Sequence, residues 1–219
     1  MKKLYILILL CIMHSCLYAQ SEDFEMVFKA CVLAQSSQSY GEGSQAEIEE
    51  AAHMLANARW IPLVLQHVDT KYEVPIKKHL VFSPEFLKDV AVDRSVYKRA
   101  KMYQEEQMAP QRGVSRGGDV FLCTKCIKAG KKVVYALRTM GGKTNVAAVA
   151  EVNGLINLSV VVKDEKGNMS KTYKMTSEEY KGAPTRRLID IMVPQGNSYL
   201  YITIENKSKL NRSVAIIVE

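Results

Sequence analysis

The last hundred residues repeat one short pattern, and that pattern limits the folds open to this chain. Six runs rich in Val, Ile, Tyr and Thr follow one another, with turn-forming Gly, Asn and Pro between them. They cover residues 131–137, 144–152, 155–163, 187–193, 198–205 and 213–218. Such runs are typical of β-strands. Because no helical pattern of 10–15 residues separates them, we expect antiparallel pairing rather than a parallel sheet.

Alternation along these runs predicts two faces. In the fifth run, Leu200, Ile202 and Ile204 fall on one side, whereas Tyr199 and Tyr201 fall on the other. One apolar face and one mixed face indicate sheets that pack on a shared core. The pattern therefore predicts a jelly-roll-like antiparallel β-sandwich over residues 119–219.

Two connections receive specific predictions. Asn153 and Gly154 separate two apolar runs, and this dipeptide favours a type I′ turn, so we expect a β-hairpin there. No strand is predicted in the longer polar segment 164–186.

The same runs carry a resemblance. The order KAGKKVVYAL, GGKTNVAAVA, LINLSVVVKDEKGN, VPQGNSYLYITIENKS and SVAIIVE resembles a bacterial pre-peptidase C-terminal (PPC-like) β-sandwich. That family has a strand after a K-x-G turn, a strand ending in D-x-x-G and a P-x-G-x-Y-x-I-x-V strand. The acidic D-L-x-L strand of the family is replaced here by neutral Asn157-Leu158-Ser159-Val160, so the resemblance implies no acid-dependent cation site. It covers the last hundred residues only.

The first 19 residues have the pattern of a signal peptide. Lys2 and Lys3 precede an apolar run, and Ala19 offers a small residue for cleavage before Gln20. Lipoprotein processing at Cys16 is the alternative. After removal we expect no integral membrane segment, and the formal net charge of +7 falls to +5 because both lysines leave. We therefore predict a periplasmic or secreted protein of bacterial type.

The sequence pattern of residues 20–110 predicts an α/β region. Helices are expected at 21–36 and 44–59 and should form a hairpin, the second with Ser44 and Glu47 as a capping box. Strand-like runs follow at 60–68 and 72–82, and a third helix at 83–108. The Gly-rich segment 111–118 is the predicted linker to the sandwich. The whole chain is thus predicted to be α+β.

Cys123 and Cys126 form a C-x-x-C motif. The motif fits a disulfide, either within the pair or to Cys31, but also a redox dithiol or half of a zinc site. A regular strand would point the two side chains to opposite faces. Since no second C-x-x-C or matching His pair accompanies the motif, we predict neither a metal nor a cofactor.

These patterns favour binding over catalysis. No motif of a hydrolase, metalloprotease or nucleotide-binding site occurs, and the basic residues are not interleaved with aromatics, which disfavours nucleic acid as a partner. Tyr199 and Tyr201 are candidate ligand contacts. We predict an exported, non-catalytic binding or accessory protein whose partner is a glycan or a protein. The alternatives are a thiol-disulfide redox protein that uses Cys123 and Cys126, and a secreted inhibitor or adhesin.

Overall fold

A computed structural model describes residues 21–37, 45–75, 98, 114–115, 119–152, 154–175 and 184–219. Within these ranges it contains two helices and twelve strands with defined bounds, and the single described residue Lys98 is also helical. The helices are α1 (Glu22–Ser37) and α2 (Gln45–Asn57). The strands are β1 (Ile61–Pro62), β2 (Gln66–Asp69), β3 (Glu73–Val74), β4 (Val114–Ser115), β5 (Phe121–Ile127), β6 (Lys132–Thr139), β7 (Gly142–Val152), β8 (Ile156–Asp164), β9 (Met169–Met175), β10 (Pro184–Val193), β11 (Ser198–Asn206) and β12 (Arg212–Val218).

The strands form two six-stranded sheets. Sheet 1 has the order β1-β5-β12-β7-β10, with β3 also paired to β5. Sheet 2 has the order β2-β6-β11-β8-β9, with β4 also paired to β6. The eight strands from β5 to β12 pair with one another only in antiparallel fashion and divide equally between the sheets, whereas the two-residue strands β1 and β4 pair in parallel with β5 and β6. This arrangement is a jelly roll, so the predicted antiparallel sandwich is confirmed.

The core between the sheets follows the predicted alternation. Leu200, Ile202 and Ile204 of β11 are fully buried, and they pack with Ile156, Leu158 and the inward residues of the other strands. Tyr199 and Tyr201 are half-buried and point outward.

A second core lies between the helices and the outer face of sheet 1. Phe24, Val27 and Leu55 pack there against Val149 of β7 and Ile217 of β12. Both faces of β7 are therefore buried, which explains why its sequence is alanine-rich and shows no polar alternation.

Local hydrogen bonds define the ends of the helices. The Ser21 hydroxyl accepts a 3.1 Å hydrogen bond from the Phe24 amide and caps α1. The Asp23 carboxylate accepts a 2.9 Å bond from the Arg59 amide, and the Trp60 indole donates a 3.0 Å bond to the Leu55 carbonyl. The predicted positions of the two helices are confirmed to within two residues at each end.

Two predictions about connections are wrong. The strands on either side of Asn153 and Gly154 do not form the predicted β-hairpin, because β7 lies in sheet 1 between β10 and β12 whereas β8 lies in sheet 2. The hairpin between neighbouring strands is instead β8–β9, where Gly167 has a φ of 82°. Strand β9 lies in the polar segment that was predicted to contain no strand.

Several predictions fall outside the described residues. They are the signal peptide 1–19, the lipidation site Cys16, the cap Ser44, the strand residues 76–82 and, apart from Lys98, the helix 83–108. The linker prediction 111–118 also stays a prediction, although β4 within it pairs with β6. Strands β1, β2 and β3 pair with β5 or β6 and so extend both sheets. Neither described helix has the length and hydropathy to span a membrane.

Candidate functional site

The outer face of sheet 2 carries the predicted ligand contacts. Strand β11 lies near the middle of this sheet, and its outward side chains are Tyr199, Tyr201, Thr203 and Glu205. We call these four residues, with their outward neighbours on β6, β8 and β9, the tyrosine face. All four are half-buried and so retain accessible surface. The described helices cover the opposite side of the sandwich, on sheet 1.

The two tyrosines have different neighbours. Tyr199 lies between Arg138 of β6 and Lys163 of β8, and Tyr201 lies between Ala136 and Val161. The Lys163 Nζ atom lies 4.4 Å from the centroid of the Tyr201 ring. A cation over an exposed aromatic ring stabilises the pair by only about 0.5–1 kcal/mol. Lys163 can therefore leave this ring for a ligand at small cost.

The tyrosine face continues into a polar cleft at the other end of β11. The cleft has a volume of about 340 Å³, and its lining includes Lys132, Asn157, Ser159, Lys174, Thr203 and Glu205. These side chains come from four neighbouring strands, which the register brings into two adjacent rows. The cleft thus offers hydroxyl, amide, carboxylate and ammonium groups over a short distance.

Glu205 is held in a fixed, charged state. Its carboxylate accepts a 2.7 Å bond from the Lys207 ammonium and a 3.0 Å bond from the Asn157 amide. These bonds, that from Lys207 first, hold the pKa of Glu205 below its ordinary value. At neutral pH the cleft therefore contains an ionised acceptor whose charge Lys207 compensates.

The structure does not show the predicted disulfide among the described cysteines. Cys31, Cys123 and Cys126 are all free thiols. Strand β5 pairs with β12 in an unbroken register, so Cys123 and Cys126 point to opposite faces and no bulge brings them together. Cys123 contacts the core between the sheets, whereas Cys31 is buried in the core under the helices, so sheet 1 separates them.

The environment of Cys123 also opposes thiol chemistry. Burial raises the pKa of Cys123 to about 12, although nearby Lys125 acts in the opposite direction. Burial likewise raises the pKa of Cys126 and of Cys31. Because a redox dithiol needs a thiolate stabilised by its surroundings, this strand site does not fit the redox alternative.

A polar cluster that the sequence did not indicate connects the two sheets. Glu73 of β3 accepts a 3.0 Å bond from Lys125 of β5 and a 2.8 Å bond from the Tyr135 hydroxyl of β6. His67 lies 3.8 Å from the same carboxylate and contacts the Thr70 hydroxyl at 2.9 Å. Since Lys125 and Tyr135 both already form hydrogen bonds to Glu73, we interpret the cluster as a structural connection that holds the two sheets together.

Metal-ligating side chains do not converge in the described part of the chain. No group of three or more His, Cys, Asp or Glu side chains lies close enough there to hold an ion.

Comparisons with known proteins leave the family open. No protein-family model matches the chain, so the PPC-like resemblance stays a prediction. No curated protein matches the chain either. The enzymatically active domain of tailspike protein 4 from bacteriophage CBA120 matches at 11% identity and a TM-score of 0.30, over 44% of this chain and 17% of that chain.

Two carbohydrate-binding modules match to a similar degree. TmCBM61, solved in complex with β-1,4-galactotriose, is 12% identical, with a TM-score of 0.29 over 44% of this chain and 69% of that one. A family 16 carbohydrate-binding module is 9% identical, with a TM-score of 0.30 over 44% of this chain and 76% of that one. Similarity at this level does not assign a ligand.

Proposed function

We propose that this protein is an exported, non-catalytic binding module whose tyrosine face holds a glycan. One observation carries the proposal: a single strand, β11, presents Tyr199 and Tyr201 beside a polar cleft on the face opposite the helices. Ligand sites in proteins combine apolar surface with a few polar groups that fix orientation. Both components occur here on neighbouring positions of one strand.

The chemistry of the face suits a sugar chain. The C–H faces of sugar rings are apolar and can pack on tyrosine rings, which present a flat apolar body and a polar tip. Sugar hydroxyls can hydrogen-bond to Ser159, Thr203 and the ionised Glu205 in the cleft. Residues 199–205 of β11 extend over roughly 20 Å, so the ligand is an oligosaccharide rather than a single sugar.

Export is part of the same proposal. The pattern of residues 1–19 supports cleavage after Ala19 and delivery to the periplasm or cell surface, where glycans are abundant. Mass spectrometry of the protein recovered from the host tests this step. A mature chain that begins at Gln20 supports it, and a lipid-modified Cys16 would replace soluble export by membrane anchoring.

A glycan array with matched variants tests the binding function. The exported protein should bind a subset of glycans, and Tyr201→Ala should weaken that binding at least about tenfold, since the ring supplies the apolar surface. Met192→Ala is the control, because Met192 is a large apolar side chain, 68% exposed, on the other sheet. Binding that is equally sensitive to both changes, or that is absent from the whole array, contradicts the proposal.

A further inference from the structure

The charges on the tyrosine face are unbalanced in favour of lysine. Lys132 and Lys174 line the cleft, and Lys163 lies over Tyr201. None of these three ammonium groups forms an ion pair with an acid of the described residues. They are therefore available to a ligand on that part of the molecule.

The other charges on this face largely cancel. Glu205 is paired with Lys207 at 2.7 Å, and Arg138 is paired with Glu165 at 3.6 Å. Asp69 of β2 is a further described acid on this side; it pairs with Val134 of β6, whose other neighbour is Thr203, so it lies beside the cleft but is not part of its lining. The cleft lining carries two lysines and one acid, Glu205, which is paired with Lys207 and also interacts with Lys132, so positive charge remains in excess there.

The two cleft lysines flank the polar groups. Lys132 lies opposite Glu205 on β6, and Lys174 lies opposite Ser159 on β9. Strands β6 and β9 are three positions apart in sheet 2, which separates their backbones by about 14 Å. Cations at both sides of a cleft favour a ligand that carries more than one negative group.

From this arrangement we propose that the ligand is an acidic glycan, with carboxylate or sulfate groups on successive sugars. This inference rests on the proposed glycan-binding function and specifies its substrate class. The sugar rings pack on Tyr199 and Tyr201, and the acidic groups bind Lys132 and Lys174 in the cleft. Lys163 leaves the Tyr201 ring and contacts a third acidic group or a hydroxyl.

Matched pairs of polymers test the charge requirement. Polygalacturonate is compared with its methyl ester, and dextran sulfate with dextran, because the members of each pair share a sugar backbone and differ chiefly in charge. The exported protein should bind the charged member at least about tenfold more tightly, since hydrogen bonds to charged groups are the strong ones. Its affinity should fall as salt concentration rises, because these charges are partly exposed.

Lysine variants separate a specific cleft from general attraction to polyanions. The double variant Lys132→Gln/Lys174→Gln should weaken binding to the charged polymer about tenfold. The double variant Lys128→Gln/Lys209→Gln is the control, because it removes the same charge from exposed positions outside the tyrosine face. An equal loss in both double variants would overturn the inference, since it would indicate only nonspecific attraction.

The outcomes distinguish this inference from the function on which it depends. Tyr201-dependent binding that is equally tight for the charged and uncharged members overturns the acidic specificity and leaves glycan binding in place. If no polymer and no glycan on the array binds, both the acidic specificity and the glycan-binding function are overturned. Each variant should have the same thermal unfolding temperature as the wild type. A loss of binding then results from the changed side chains on the tyrosine face and not from unfolding.

Discussion

The hydroxyl of Tyr135 donates a 2.8 Å hydrogen bond to the carboxylate of Glu73, and this bond joins the two sheets of the sandwich. Tyr135 lies on β6 of sheet 2 and is fully buried, whereas Glu73 lies on the two-residue strand β3 at the edge of sheet 1. Burial, and then the bond to Glu73, raise the pKa of Tyr135 far above its ordinary value. The neutral hydroxyl is therefore the state that supports the fold.

Replacement of Glu73 should destabilise the protein by about 2 kcal/mol, because Glu73→Ala leaves the buried Tyr135 hydroxyl and the partly buried Lys125 without their partner. Urea unfolding measures the change. The control is Glu165→Ala, which removes an exposed carboxylate 3.6 Å from Arg138 and should have almost no effect. Similar losses in both variants would show that Glu73 is not a tie between the sheets.

The stabilising effect of Glu205 should depend on pH. Its pKa is lowered from an ordinary value of 4.5, first by the bond from Lys207. A carboxyl group with a lowered pKa in the folded state stabilises the fold above the unfolded pKa and loses that effect as pH falls through the folded pKa. The wild type should thus exceed Glu205→Gln in stability at pH 7, and the gap should close below pH 4.5. A gap that is independent of pH in urea unfolding would contradict this assignment.

Cys123 should react slowly with alkylating agents. Because burial raises the pKa of Cys123 to about 12, very little of the thiol is ionised at pH 8, and the thiolate is the reactive form. Iodoacetamide labelling followed by mass spectrometry compares the folded protein with the same protein in urea. Fast labelling of folded Cys123 would restore the redox alternative.

Asn206 should be among the most sensitive polar positions of the sandwich. Its buried amide donates to the carbonyls of Ile127 at 2.9 Å and Leu210 at 2.8 Å, and its oxygen accepts from the amide and hydroxyl of Ser208. Asn206→Ala should cost about 3 kcal/mol, because several buried groups lose their partners.

Asn211→Ala is the matched control for that change. It removes one exposed 3.1 Å bond to the Ala129 amide and should cost about 1 kcal/mol or less. Chemical denaturation of both variants measures the difference. A smaller loss for Asn206→Ala than for Asn211→Ala would contradict the account of this loop.

The sequence predicted those parts of the sandwich in which side chains alternate. Leu200, Ile202 and Ile204 repeat every second residue, and this period alone places them in the core. The same reasoning missed β9, whose residues are mostly exposed and of which only Tyr173 is partly buried against the core. A strand that buries so little leaves almost no hydrophobic pattern to detect.

Connections were harder to predict because local turn chemistry does not determine which sheet a strand joins. Asn153 and Gly154 favour a tight turn, but β7 already has β10 and β12 on its two sides, so β8 has to join the other sheet. The bond between Glu73 and Tyr135 was equally inaccessible from sequence, because 62 residues separate the pair and β3 is only two residues long. Tyr199 and Tyr201 were identified because alternation places them opposite a clear apolar face.

The most direct test of the tyrosine face is an NMR titration of the isotope-labelled protein with the glycan that the array selects. We predict that the amide signals that shift are those of Tyr199, Tyr201 and Thr203, with those of Ser159 and Lys163 on β8. Shifts confined to the helices α1 and α2, or to the predicted linker 111–118, would contradict the central claim.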